Sequence, residues 1–525
     1  LWRVVEAYAS KVPEPLPEPI LKRRKFLRLA DALSAIHFPE NEIAARAARR
    51  RLVFDDFFLL QLGLAIRRHR ETRQLGLVIN PPGELVARFR RSLPYSLTPA
   101  QERVWEEIRR DMARPYPMNR LLQGDVGSGK TVVAALAILT AVEAGYQAAL
   151  MAPTEILAEQ HLLTLTALLE HSGVRLALLT SGIKGREREA ILGGARAGMI
   201  DCVVGTHALI QEGVEFRRLG LAVVDEQHRF GVVQRASLRA KGDNPDVLVM
   251  TATPIPRTLA LTLYGDLDVS VIDQMPPGRQ PVVTASRTEA RRAQIYAFLK
   301  GEIVAGRQGY VVCPLVEESE VSDLKAATLM AEQLGSEVFP EYRVGLLHGR
   351  MGFALKEAVM RAFKAGEIKI LVSTTVIEVG IDVPNASVLL VEHAERFGLS
   401  QLHQLRGRIG RGPWKSYCIL LASGNSSAEA RRRLDAMTQT QDGFRIAETD
   451  LRLRGPGDFF GTRQSGLPEF RVADLLKDGA VLEEARREAL AVVEGDPGLA
   501  KPEHRQLREA LLARWRGKLD LASVG

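Results

Sequence analysis

No apolar run in this chain is long enough to suggest a membrane span. The longest is about 11 residues, Val132 to Val142, against the ~18 such a span would need. Cysteine is equally scarce. Cys202, Cys313 and Cys418 lie more than 100 residues apart, which fits neither a disulfide framework nor a zinc knuckle and points to a reduced, cytoplasmic setting. Low-complexity tracts are missing. So is an initiating Met: the first ten residues, beginning at Leu1, read like mid-protein sequence, so a fragment is expected and any upstream targeting signal is out of view. Over most of the chain neither sign of charge is in excess. The net charge of +8 resides in residues 1–91, with 18 Lys or Arg against 10 Asp or Glu, and the remainder balances at 53 against 53. A region that binds a polyanion has this composition. Runs such as Lys22-Arg23-Arg24-Lys25 and Arg49-Arg50-Arg51 also occur on solvated helix faces, so composition leaves both readings open.

What is present is length and apolar content for several cores, 525 residues at 46% apolar, where a domain takes ~100–200 residues. Pro13, Pro15, Pro17 and Pro19 alternate with other residues and read as an extended linker. From Phe26 to Arg73 apolar residues recur at helical spacing, with Phe38-Pro39-Glu40-Asn41 as the clearest break. After Pro94 short apolar runs alternate with helical patterns, at 148–151, 176–179, 202–204, 221–224 and 247–250. The alternation restarts after Pro276-Pro277-Gly278, at 311–313, 344–347, 370–372, 388–391 and 418–421. This is the pattern of parallel sheets with crossover helices. Two α/β lobes follow, with a hinge near residue 277. Beyond Ser423 the pattern turns charged and helical, broken by Arg454-Gly455-Pro456-Gly457-Asp458.

Gly124-Asp125-Val126-Gly127-Ser128-Gly129-Lys130-Thr131 carries the most chemistry. Its glycines let successive backbone N–H groups turn toward a nucleotide's phosphates, Lys130 reaches the β and γ phosphates, and Thr131 offers its hydroxyl to Mg²⁺. The alternative is an ordinary Gly-rich turn. A strand ending at Leu121-Leu122 and a buried helix from Val132 favour the nucleotide, because the phosphates then meet a helix N-terminus. Asp225 and Glu226 follow the apolar run 221–224 and supply one carboxylate for Mg²⁺ and one to polarise water. Thr251-Ala252-Thr253-Pro254 offers hydroxyls to sense a γ-phosphate or link the lobes. Gln404-Leu405-Arg406-Gly407-Arg408-Ile409-Gly410-Arg411 offers arginines from the second lobe to that phosphate. Isolated histidines, His161, His207 and His348, read as structural.

GDVGSGKT (124–131), APTEILAEQH (152–161), GTHALIQE (205–212), DEQHRFG (225–231), TATPIPRT (251–258), HGRM (348–351), STTVIEVGIDVP (373–384) and QLHQLRGRIGRG (401–412) together resemble the ordered motifs of superfamily 2 helicases. DEQHRFG, MPPGRQPVVT (275–284) and GFRIAETDLRLRGPGDFFGTRQSG (443–466) look more narrowly like the RecG family. The resemblance implies an α/β fold of two tandem RecA-like parallel-sheet lobes. Residues 93–277 would form lobe 1 and 278–424 lobe 2, with a Pro-rich and basic helical region at 1–92 and a mainly helical translocation element at 425–525. It implies an ATP- and Mg²⁺-dependent double-stranded DNA translocase that remodels stalled forks and branched recombination intermediates. Such a protein is a monomer in the bacterial cytoplasm, associated with the nucleoid, with a single-strand-binding protein as a further partner and no membrane. Position by position, Tyr95 and Gln101 match the adenine motif, and 124–131 the phosphate and metal contacts. Asp225, Glu226, Gln404, Arg408 and Arg411 match catalytic positions, Thr154, Thr206 and Thr374 nucleic-acid backbone contacts, and Arg433 and Gln464 coupling positions. The family's upstream wedge domain has no counterpart in the residues read. The motor of the transcription-repair coupling factor Mfd is the nearest alternative, and a nucleotide-gated DNA clamp without turnover is one from another class.

Overall fold

The computed structural model describes the chain apart from residues 73–74, 226–236, 254–255, 257–258, 261–266, 277–279, 315–319, 375–382, 455–469 and 516–525. Glu226, Gln464 and the hinge placed near residue 277 therefore lie outside the described residues. The chain forms two compact units. One comprises Leu1–Leu75, Ile255–Val269 and Arg454–Gly525; the other comprises Gly76–Pro254 and Ser270–Leu453 and contains both lobes.

In lobe 1 the strands are β1 (Asn119–Gly124), β2 (Gln147–Met151), β3 (Leu176–Leu179), β4 (Cys202–Gly205), β5 (Leu219–Asp225), β6 (Asp246–Thr251) and β7 (Asp268–Ile272), in the order β3-β4-β2-β5-β6-β1-β7. Lobe 2 has β8 (Val283–Thr288), β9 (Gln308–Val312), β10 (Val344–Leu347), β11 (Ile370–Ser373), β12 (Ala386–Val391) and β13 (Tyr417–Ala422), in the order β10-β11-β9-β12-β13-β8. Every described pairing is parallel. Parallel strands must be covered on both faces, which is why their central residues read as unbroken apolar runs. The apolar runs expected at 148–151 and 370–372 sit at the heart of β2 and β11. By contrast β8, VTASRT, is a half-exposed edge strand and has no such run.

Helix Lys130–Glu143 is apolar on every side, and Val132 to Ala141 are all buried. It anchors the lobe 1 core, where each fully buried Leu or Ile contributes roughly 1.5–3 kcal/mol. The Gly-rich loop before it is thus fixed between an inner strand, β1, and a buried helix, at the carboxyl edge of the sheet, where ligands bind in such folds.

In the other unit a 31-residue helix, Glu42–Thr72, packs against helix Gly479–Gly495. The Pro-rich segment is extended only as far as Pro17, because helix Glu18–Arg24 begins there with Pro19 in its first turn. A ring lacking N–H costs nothing at that position. Buried Arg51 binds Glu14 Oε1 at 2.5 Å, Asp55 Oδ1 at 3.0 Å and the Leu27 carbonyl, fastening that segment to the long helix. The basic runs are largely met inside the unit. Arg23 and Arg24 each reach Glu488 at 2.8 Å, Arg49 bonds Asp478 at 2.7 and 2.8 Å, and Arg50 reaches Glu484 at 2.8 Å.

Candidate active site

The phosphate-binding candidate starts where β1 ends. Gly127 and Gly129 adopt positive φ, 78° and 88°, and a Cβ at Gly129 would collide with the Gln101 amide. Only glycine fits there. Lys130 Nζ donates to its own loop, to Gly124 O at 2.7 Å and Asp125 O at 3.0 Å. The Ser128 hydroxyl is buried without a hydrogen-bond partner inside the loop, packed against Gly124.

Gln101 belongs to helix Pro99–Met112, whose start is a capping box. Thr98 Oγ1 accepts from Gln101 N at 3.2 Å and Gln101 Oε1 accepts from Thr98 N at 2.8 Å. Its Nε2 donates to Ser128 O at 2.8 Å. Gln101 thus braces the Gly-rich loop from behind with both ends of its amide engaged. Tyr95 stands nearby in sequence and is 43% exposed, with partial burial pushing its phenol up.

A cavity of about 400 Å³ opens on this loop. One wall is Gly127, Gly129, Lys130, Thr131 and Asp225 of lobe 1; Arg408 and Arg411 of lobe 2 form another. The cations therefore face the Gly-rich loop across the gap. Asp225 ends β5 and accepts a hydrogen bond from His161 Nε2 at 2.7 Å, both side chains nearly buried. His161 lies on helix Glu155–Leu169 and lines the cavity. The donor set fits a nucleotide with Mg²⁺: backbone N–H groups and Lys130 for phosphates, and a hydroxyl and a carboxylate, Thr131 and Asp225, for a hard cation.

Among the described residues, hydrogen bonds join the lobes beside the cavity. Gln404 Nε2 donates to Thr253 Oγ1 at 2.6 Å, and His403 Nε2 lies 2.6 Å from Asp125 Oδ1. Burial works against ionisation of Asp125, but the His403 bond, the Val126 N–H and Lys130 hold its carboxyl below the usual range.

Other sequence-assigned residues lie off this lining. Thr154 caps helix Glu155–Leu169 through Leu157 N at 3.4 Å, and buried Thr206 caps the short helix His207–Ile210. Thr374 is buried with its hydroxyl unsatisfied, and Arg433, on helix Ala428–Gln439, donates to Glu395 O at 2.9 Å. Three residues here carry little signal in the sequence: His161 reads there as structural, and His403 and Arg406 match no assigned position. Their only linear signal was position, inside APTEILAEQH and three apart on one helix face in QLHQLRGRIGRG.

Three family models match: DEAD/DEAH box helicase over residues 98–262, helicase conserved C-terminal domain over 291–413, and ATP-dependent DNA helicase RecG, domain 3, C-terminal, over 440–525. The chain is 54% identical over 507 residues to ATP-dependent DNA helicase RecG of Synechocystis, covering 96% of this chain and 61% of that protein. To the Bacillus subtilis RecG it is 51% identical over 513 residues, covering 98% and 75%. The chain belongs to the RecG family. A solved RecG bound to a three-way DNA junction matches this RecG-family chain with TM-score 0.71 and 47% identity, over 91% of this chain and 63% of that one. At 17% identity and TM-score 0.52, a solved Mss116p matches over 84% of this chain and 93% of its own, a likeness of fold alone. The chain thus spans about three fifths of the Synechocystis protein and of the solved RecG, and three quarters of the Bacillus one.

Proposed function

We propose that this chain is the motor of an ATP-dependent translocase that moves on double-stranded DNA and remodels forked or branched substrates. The observation that carries this reading is the cavity with Lys130, Thr131 and Asp225 on one wall and Arg408 and Arg411 on the other. Lys130 and the backbone N–H groups of the Gly-rich loop bind and orient the phosphates, and Thr131 and Asp225 hold the cation. Mg²⁺ bound there would supply neutralisation of the phosphate charge. Glu226 polarises the attacking water. Arg408 and Arg411 stabilise the charge that spreads over the transferred group, an effect worth roughly 10³–10⁵ in rate where an arginine is delivered across a cleft. Gln404, through Thr253, aligns the two walls.

DNA is held mainly through its phosphates, with the segments around Thr154, Thr206 and Thr374 meeting the backbone and Arg433 and Gln464 in coupling, so binding is sequence-tolerant and steeply salt-dependent. The chain acts as a monomer in the cytoplasm on the nucleoid, and a single-strand-binding protein is a further partner. Among the described residues no helix is long and apolar enough to cross a membrane. The test is Lys130→Ala: ATP hydrolysis is lost while duplex binding is retained. An unchanged turnover would contradict the site.

A further inference from the structure

Helix Leu399–Arg406 brings His403 and Arg406 onto one face, three residues apart. His403 faces the lobe 1 loop, with Nε2 2.6 Å from Asp125 Oδ1. Its other ring nitrogen, Nδ1, lies 3.1 Å from an Arg406 terminal nitrogen. A guanidinium has donors only, so Nδ1 accepts and the ring proton sits on Nε2, pointing at Asp125. The same guanidinium donates to three carbonyls, Met437 O at 3.0 Å, Thr440 O at 2.9 Å and Gln441 O at 3.2 Å. These surround the carboxyl end of helix Ala428–Gln439, where backbone oxygens have no intrahelical donor. Donation runs outward from the guanidinium, to the three carbonyls on one side and through the imidazole to the Asp125 carboxylate on the other.

The chain of bonds is buried, His403 at 5% and Arg406 at 4% exposure. A buried cation that loses partners is strongly destabilised, so each link holds the next in place. The contact at the Asp125 end is also sterically exact to within a methyl group: a Cβ at Gly407 would lie 2.7 Å from Val126 Cβ. Asp125 itself is held at its carboxylate by His403 and the Val126 N–H, and at its carbonyl by Lys130 and the Ser128 N–H. A nucleotide that engages Lys130 competes with that carbonyl and so acts on the residue His403 grips.

We propose that His403 and Arg406 are positioning residues that tie Asp125 of the Gly-rich loop to the carboxyl end of helix Ala428–Gln439, so that nucleotide occupancy is felt at residues 437–442. The inference rests on reading the cavity as a nucleotide site.

Hydrogen–deuterium exchange on the full chain, with and without Mg²⁺ and a non-hydrolysable ATP analogue and in the absence of DNA, tests it. In the native protein the analogue protects 124–131 and alters exchange at 437–442 by at least about threefold. His403→Leu keeps the first response and loses the second. His403→Gln, whose amide can accept from Arg406 and donate to Asp125, restores it. A response at 437–442 that survives His403→Leu, or that the Gln variant fails to restore, overturns the relay. Protection at 124–131 with no native response at 437–442 also overturns it, whereas no protection at 124–131 overturns the nucleotide site itself. Should His403→Leu lose its cooperative melt, Arg406→Met breaks the relay at its other link and must give the same loss, with 124–131 still protected.

Discussion

Gln101 shows how a residue can keep its place and gain a different job. Its motif assigned it to the adenine edge; in the fold its carbonyl caps Thr98 and its amide supports Ser128, and it is 2% exposed. Gln101→Ala is expected to cost about 1 kcal/mol of stability, as losses at a helix cap do, and to raise KM for ATP by loosening the loop. Thermal melts and steady-state ATPase kinetics check both, and an unaltered KM would remove the bracing role. Arg408 and Arg411 belong to the same scale. Arg408→Ala is expected to lower kcat by about 10³ while changing nucleotide affinity only a few-fold, since a transition-state contact is lost and a ground-state one is not. A fall in affinity alone, measured with a fluorescent nucleotide, would contradict this. His161 was unreadable in advance because its partner Asp225 is 64 positions away. The histidine's chemistry comes from that partner, which no local pattern names.

Elements were more legible than residues. The buried strands announced themselves as apolar runs, and the break at Phe38-Pro39-Glu40-Asn41 separates helix Leu29–His37 from helix Glu42–Thr72. Edge strands such as β8 escaped because one exposed side dilutes the run. Nothing local foretold that both ends of the chain share a unit, since Arg49 and Asp478 pair across 429 positions. Removing Arg51 should show how tightly that unit is fastened. Arg51→Ala strands the Glu14 and Asp55 carboxylates, and a loss of about 3–5 kcal/mol is expected from denaturant unfolding; a change below about 1 kcal/mol would mean water satisfies them. Acid should also act there. Burial opposes ionisation of Asp496, but the Lys501 and Ala500 N–H groups and the His504 ring bring it down to about 2 from 3.8. With the folded value below the unfolded one, this contribution is complete above pH ~4 and lost as pH falls toward 2. Asp496→Asn should flatten that limb of a stability–pH curve, and an unchanged limb would remove Asp496 as its source.

At the scale of the whole molecule, the excess charge of residues 1–91 need not face DNA, because Arg49 and Arg50 already bond Asp478 and Glu484. The double variant Arg49→Ala, Arg50→Ala should leave the salt dependence of duplex binding unchanged. A slope of log K against log salt that falls by about 1.8 would instead place both on phosphates. Deleting residues 1–91 could not answer this, since it removes the long helix around which that unit is built. The central claim is that the cleft drives movement on duplex DNA. Displacement of a third strand from a duplex tests it most directly, measured alongside ATP turnover for the native chain and for Lys130→Ala. The native chain should turn over ATP faster with duplex present and displace the third strand only while ATP is hydrolysed, and the variant should bind the duplex and do neither. Turnover stimulated by duplex with no displacement by the native chain would contradict the account.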